Sequence, residues 1–112
     1  MEILFQGRKL ERTCTDPSQR ARTYGSVCAK ALENRLYEFK RAENLEAMRF
    51  VSRARCHELI GDRKGTLSVV LQQPYRLIFE PAHNPVPRKP DGGLDWTQVM
   101  AIRILAVEDY HD

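Results

Sequence analysis

Three cysteines in 112 residues, Cys14, Cys28 and Cys56, lie 14 and 28 positions apart. They cannot all pair, and no two have the spacing of a zinc knuckle or a thioredoxin-type motif. Free thiols used this way fit a reducing compartment. There is no apolar run near the ~20 residues that cross a bilayer. The first seven residues lack the basic stretch and long apolar core of a secretory signal. No glycine-rich phosphate loop is present, and the single Trp96 suggests no aromatic cage. Hydrophobic residues at 42% and charged residues at 29% exclude collagen-like and wholly disordered chains. These absences predict a small soluble domain in the cytoplasm, one unit over residues 1–112.

Leu4-Phe5-Gln6-Gly7 has the form of a viral 3C protease recognition sequence, such as a tag leaves behind. The residues pass into Arg8-Lys9-Leu10-Glu11-Arg12 with no change of character, so they are expected to be native.

Charge is unevenly placed. Residues 1–65 carry 14 Lys/Arg against 9 Asp/Glu, whereas residues 66–112 carry 4 against 6. A basic leading half suits an anionic partner such as nucleic acid. Charge alone, however, favours a solvated helical surface with local pairs, Glu33 lying near Tyr37 and Arg41.

The helical part is expected over about 8–50. Ile3–Phe5 reads as a short strand or as the lead into a helix at Arg8–Cys14. Asp16 can cap, Pro17 suits a first helical position and Gln19 completes a capping-box pattern, with a break near Gly25. From Ser26, Cys28, Leu32, Leu36 and Phe39 make one helical stripe, with Lys30, Glu33, Asn34 and Glu38 toward water. Asn44 can cap a short turn over Leu45–Phe50.

The sheet part follows over about 55–110. Cys56–Leu59 reads as a strand ending in Gly61-Asp62-Arg63-Lys64-Gly65. Thr66–Gln72 alternates, with Leu67, Val69 and Leu71 inward and Ser68 and Gln72 outward. Tyr75–Glu80 is its partner across Gln73-Pro74, with Leu77 and Phe79 inward. Residues 81–97 form a loop rich in proline. Gln98–Val107, dense in Val, Ile and Leu, reads as a central strand covered on both sides. The class is α+β, with N-terminal helices packed on a small curved antiparallel sheet of three to four strands.

Glu108-Asp109-Tyr110-His111-Asp112 runs directly off that last strand. A strand end sets polar side chains at a sheet rim, and histidine moves protons near neutral pH. The same composition also describes a frayed terminus.

Gly61-Asp62-Arg63-Lys64-Gly65, Pro74-Tyr75-Arg76-Leu77-Ile78-Phe79 and Val107-Glu108-Asp109-Tyr110-His111 occur in that order. Together they resemble the HigB branch of the RelE superfamily, the killer proteins of type II toxin–antitoxin systems. The resemblance covers residues 56–80 and 103–112; the helical half agrees only in kind. It implies messenger-RNA cleavage in the ribosomal A site without metal or cofactor, the RNA's own 2′-hydroxyl being the nucleophile. The protein would then move two protons and stabilise charge on phosphorus. Carried over residue by residue, Arg76 would hold the phosphate, His111 would transfer a proton, Tyr110 would stack or orient, and Asp109 would position them. His57 matches a site position too, and reads equally well as a hydrogen-bonded structural histidine. Arg63, Lys64, Arg8 and Lys9 are the expected RNA-binding cations.

Two departures stand out. Ile60 occupies the position before the turn where the family usually has an active-site lysine, and it can neither bind phosphate nor move a proton. The insert Pro81–Trp96 is longer than the turn expected there, and could line an RNA channel or dock a partner. Cys56, His57, His83 and His111 have no spacing that would support a metal site. The expected partners are messenger RNA on the 70S ribosome and a HigA-like antitoxin with a helix-turn-helix domain, and no membrane. Ile60 favours an alternative, a weakened homologue that only binds antitoxin or ribosome.

Overall fold

The computed structural model describes residues 1–109; Tyr110, His111 and Asp112 lie outside the described residues. Strand β1 (Glu2–Phe5) leads into helices α1 (Arg8–Thr15), α2 (Pro17–Tyr24) and α3 (Ser26–Arg41). Two short 3₁₀ turns, Leu45–Phe50 and Ser52–Ala54, connect to β2 (His57–Glu58). Then come the turn Gly61–Arg63, β3 (Leu67–Val70), β4 (Tyr75–Pro81) and β5 (Ala101–Asp109).

The helix boundaries follow their caps. The Asp16 carboxylate accepts the backbone N–H groups of Ser18 and Gln19, with Pro17 at the first helical position. The Asp16 N–H itself donates to the Arg12 carbonyl. Asn44 accepts the Ala47 N–H and opens the Leu45–Phe50 turn. The three helices are locked together by Arg20, a buried arginine that donates to the Cys14 carbonyl and to Glu33, each at 3.0 Å. Glu33 is therefore paired with Arg20 and Lys30, while Arg41 donates to the Tyr37 hydroxyl. The local pairing expected around Glu33 is corrected accordingly.

The five strands run in the order β1-β5-β4-β3-β2. All neighbours are antiparallel except β1, which lies parallel to β5 with Ile3 opposite Ile102 and Phe5 opposite Ile104. The sheet thus exceeds the three to four antiparallel strands expected. Its extra strand is the apolar Ile3–Phe5 segment, whose side chains complete the sheet's covered face. Two other boundaries move. Only His57–Glu58 pair as β2, and Gln98–Met100 do not belong to β5, because Asp95 caps a 3₁₀ turn at Trp96–Gln98.

Alternation along the strands sets the core. Leu67 and Val69 of β3, Leu77 and Phe79 of β4, and Ile102 and Ile104 of β5 face the helices. There they bury Cys28, Leu32, Phe39, Leu45 and Met48. Phe39 and Phe79 meet edge to face with ring centroids 4.9 Å apart. A register shift between Ile78 and Phe79 skips Leu105, so Val107 and Ile104 both remain on the covered face.

The proline-rich segment is tied down by its end. Lys89 and Gly92 bond within the loop, Arg88 bridges Leu94, and the Asp95 N–H donates to the Pro87 carbonyl. Trp96 is buried, donates to Glu58 at 2.9 Å, and carries the Arg49 guanidinium 3.8 Å above its ring.

Candidate functional site

The side chains that alternate away from the helices define the sheet's second face. Three cross-strand rows run over it. Val70, Arg76 and Glu108 form the first; His57, Ser68, Ile78 and Ala106 the second; Glu80 and Arg103 the third. The face that carries only apolar groups on the helix side therefore carries Arg76, Glu108, Glu80, Arg103 and His57 here. By strand spacing, the His57 and Arg76 Cα atoms stand roughly 12 Å apart, one row and two strands removed.

Arg63 crosses this face. Its two terminal nitrogens donate to the two Glu108 carboxylate oxygens at 2.8 and 2.9 Å, although the turn bearing it closes the β2–β3 hairpin, two strands away from β5. The Gly61–Gly65 turn is thus folded over the sheet. Ser68, expected to face outward, is fully buried, as is its cross-strand partner Ile78. The bidentate bonds from Arg63 hold the Glu108 carboxyl below its ordinary value, against a smaller opposing effect of burial. Glu108 is consequently an anion at neutral pH, engaged by a fork of two donors. Arg63, Arg76 and Glu108 thus stand together near the end of β5, with Asp109 next along the strand.

The sequence-predicted residues divide as follows. Arg76 is half-buried in the middle of the sheet, and Asp109 closes β5 opposite Tyr75. His57 is exposed on the edge strand β2, its Nδ1 2.9 Å from the Arg55 carbonyl. Arg63 joins the Arg76 row through Glu108. Lys64 lines a cavity of about 350 Å³ together with Glu58, Glu80, Thr66, Leu67, Pro81 and the proline-rich loop. Arg8 and Lys9 are exposed in the first turn of α1, which leaves β1 at the edge opposite β2. Tyr110 and His111 lie outside the described residues. Ile60 is 86% exposed in extended backbone just before the turn and offers nothing polar there. Among the described residues no three His, Cys, Asp or Glu side chains gather as metal ligands would, and no helix is long and apolar enough to cross a membrane.

Glu108 is the residue that sequence reasoning passed over. It sits inside the terminal motif, but its partner is 45 positions away, and only the folded turn brings the two together.

By sequence, the chain matches no protein-family model and no curated protein. By structure, it is similar to a YoeB/ParE toxin from Agrobacterium tumefaciens, with a TM-score of 0.59 at 12% identity, over 99% of this chain and 100% of that chain. The two share a fold, with helices layered on one side of a small sheet.

Proposed function

We propose that the chain is the toxin of a type II toxin–antitoxin system, of HigB kind, that cuts messenger RNA on the ribosome. The observation that carries this reading is the row Arg76–Glu108 with its Arg63 bridge, beside the end of β5 and on the face the helices leave open. The fold shared with the YoeB/ParE toxin supports it, as does the terminal motif Glu108-Asp109-Tyr110-His111.

In this reading the RNA 2′-hydroxyl attacks the adjacent phosphorus, and the Arg76 guanidinium neutralises charge gathering on the non-bridging oxygens. Arg63 acts through Glu108, holding that carboxylate away from the incoming phosphate and from Arg76. His111 moves the proton to or from the sugar oxygens, Asp109 and Tyr110 orient it, and His57 serves at the far side of the row. Lys64, Arg8 and Lys9 bind RNA outside the reacting centre. The reaction needs no metal. A HigA-like antitoxin holds the protein inactive in the cytoplasm.

A second reading has one observation in its favour. With Ile60 in the usual lysine position, the protein would bind antitoxin or ribosome without cutting.

Mapping cuts by primer extension on a messenger programmed into 70S ribosomes, beside naked RNA, separates the two. Ribosome-dependent cuts that disappear in His111→Gln establish the nuclease. Ribosome binding without cuts establishes the binding module, and neither cuts nor binding refutes both.

A further inference from the structure

A second candidate surface lies in the helical layer, away from the polar sheet face. The C-terminal turns of α3 and the Leu45–Phe50 turn enclose a groove of about 250 Å³, lined by Tyr37, Arg41 and Ala42 on one wall and Ala47, Met48 and Val51 on the other. Residues three apart in a 3₁₀ turn eclipse each other, so Phe50 extends the Ala47 wall. Phe50 is 84% exposed and Tyr37 60%. Tyr37 thus lines the groove, and Phe50, on the Ala47 side of the turn, stands exposed beside it.

Cations outnumber acids in the segment that forms the groove. Residues 35–57 hold six Lys/Arg and three Asp/Glu, an excess equal to the net charge of +3 of the whole chain. Two of the three acids are already engaged. Glu38, in the groove wall, lies 3.0 Å from the buried Arg35, and Glu46 lies 2.8 Å from Arg49. Glu43 is the third. Arg41 reaches over the Tyr37 ring, 5.7 Å from its centroid, and donates to its hydroxyl. Arg53 and Lys40 make no ion pair among the described residues.

Exposed planar rings with unneutralised cations beside them match unpaired bases on a polyanion. An acidic protein helix would instead call for a continuous aliphatic strip. The other exposed apolar side chains, Val27, Ile60 and Met100, lie on different elements and make none.

We propose that the groove between α3 and the Leu45–Phe50 turn binds single-stranded RNA, with Phe50 and Tyr37 stacking on bases and Arg41 and Arg53 meeting phosphates. It deepens the reading of the chain as an RNA-directed protein and rests on it, adding a contact separate from the Arg76 row.

The test is the fluorescence anisotropy of a labelled 12-nucleotide single-stranded RNA, 2′-O-methylated so that it cannot be cut. The parent, Phe50→Ala and Phe50→Trp are compared, and an abasic strand of equal charge is run beside it. Phe50 is so exposed that its replacement leaves the fold intact. The expected result is affinity about tenfold or more weaker in Phe50→Ala, retained in Phe50→Trp, and equally weak when the parent meets the abasic strand. Equal affinity of parent and Phe50→Ala overturns the proposal, as does failure of the parent to bind the strand. So does a Phe50→Ala form that loses an acidic partner protein while keeping its RNA affinity. A parent that cuts on ribosomes but gains nothing from Phe50 removes the groove alone. A parent that binds through Phe50 but never cuts removes the nuclease alone.

Discussion

The two faces of one sheet are built from the same strands and do different work. On the helix side, Leu67, Val69, Leu77, Phe79, Ile102 and Ile104 are all closed from water within the hydrophobic core. One residue along each strand, the other side holds Arg76, Glu108, Glu80, Arg103 and His57. Period-two alternation makes this separation possible without any extra element. The difference teaches where each kind of damage should fall: substitutions among the covered apolar residues cost stability, and on the proposed reading those at the charged residues of the other face cost cleavage.

The largest stability effect belongs to the covered face. Phe39→Ala removes a fully buried ring and its edge-to-face contact with Phe79. We expect about 3–5 kcal/mol of destabilisation in denaturant unfolding. Arg76→Ala should do the reverse, lowering ribosome-dependent cleavage on the order of 10²–10³-fold while shifting the melting temperature little. If Arg76→Ala instead unfolds the protein, the division between the faces is wrong.

A smaller effect sharpens the role of Arg63. Glu108 titrates below its ordinary value, so its pairing stabilises the fold at neutral pH and is lost as pH falls through the depressed folded-state value. The half-exposed Arg63–Glu108 pair contributes at most about 1 kcal/mol. Thermal melts should show a parent advantage over Glu108→Gln that is flat near pH 7 and closes in acid. In activity, Arg63→Ala should cost more than Glu108→Gln, because it frees the Glu108 carboxylate to engage Arg76.

The smallest effect is alkaline. Burial pushes the Cys56 thiol up from 9.0 to about 12 and the Cys14 thiol to about 11. Above pH 9 the unfolded thiols ionise and the folded ones do not, so stability should decline as pH rises from 9. At pH 8 neither thiol should react with a disulfide reagent until the protein unfolds.

Much of this was legible where the signal is local. Asp16-Pro17 and Asn44 set helix starts through bonds made within three residues, and alternation set β3 and β4. What escaped is non-local. Ile3–Phe5 reads as a short strand or as the lead into a helix, and only β5 lying beside it decides for the strand. Ser68 reads as a surface residue by alternation, yet it is fully buried. The Arg63–Glu108 bridge joins residues 45 positions apart, and Trp96 is explained only by Glu58 and Arg49, distant in sequence. The candidate site shows the same division. The motifs supplied Arg76 and Asp109, and the structure supplied the row that joins Arg76, Glu108 and Arg63.

The most direct test of the central claim pairs two readings on one variant: the single-turnover rate of messenger cleavage on 70S ribosomes and the melting temperature of Arg76→Ala, each beside the parent. The account predicts a cleavage rate reduced at least about a hundredfold at an essentially unchanged melting temperature. Cleavage at the parental rate, or loss of activity matched by loss of fold, would contradict it.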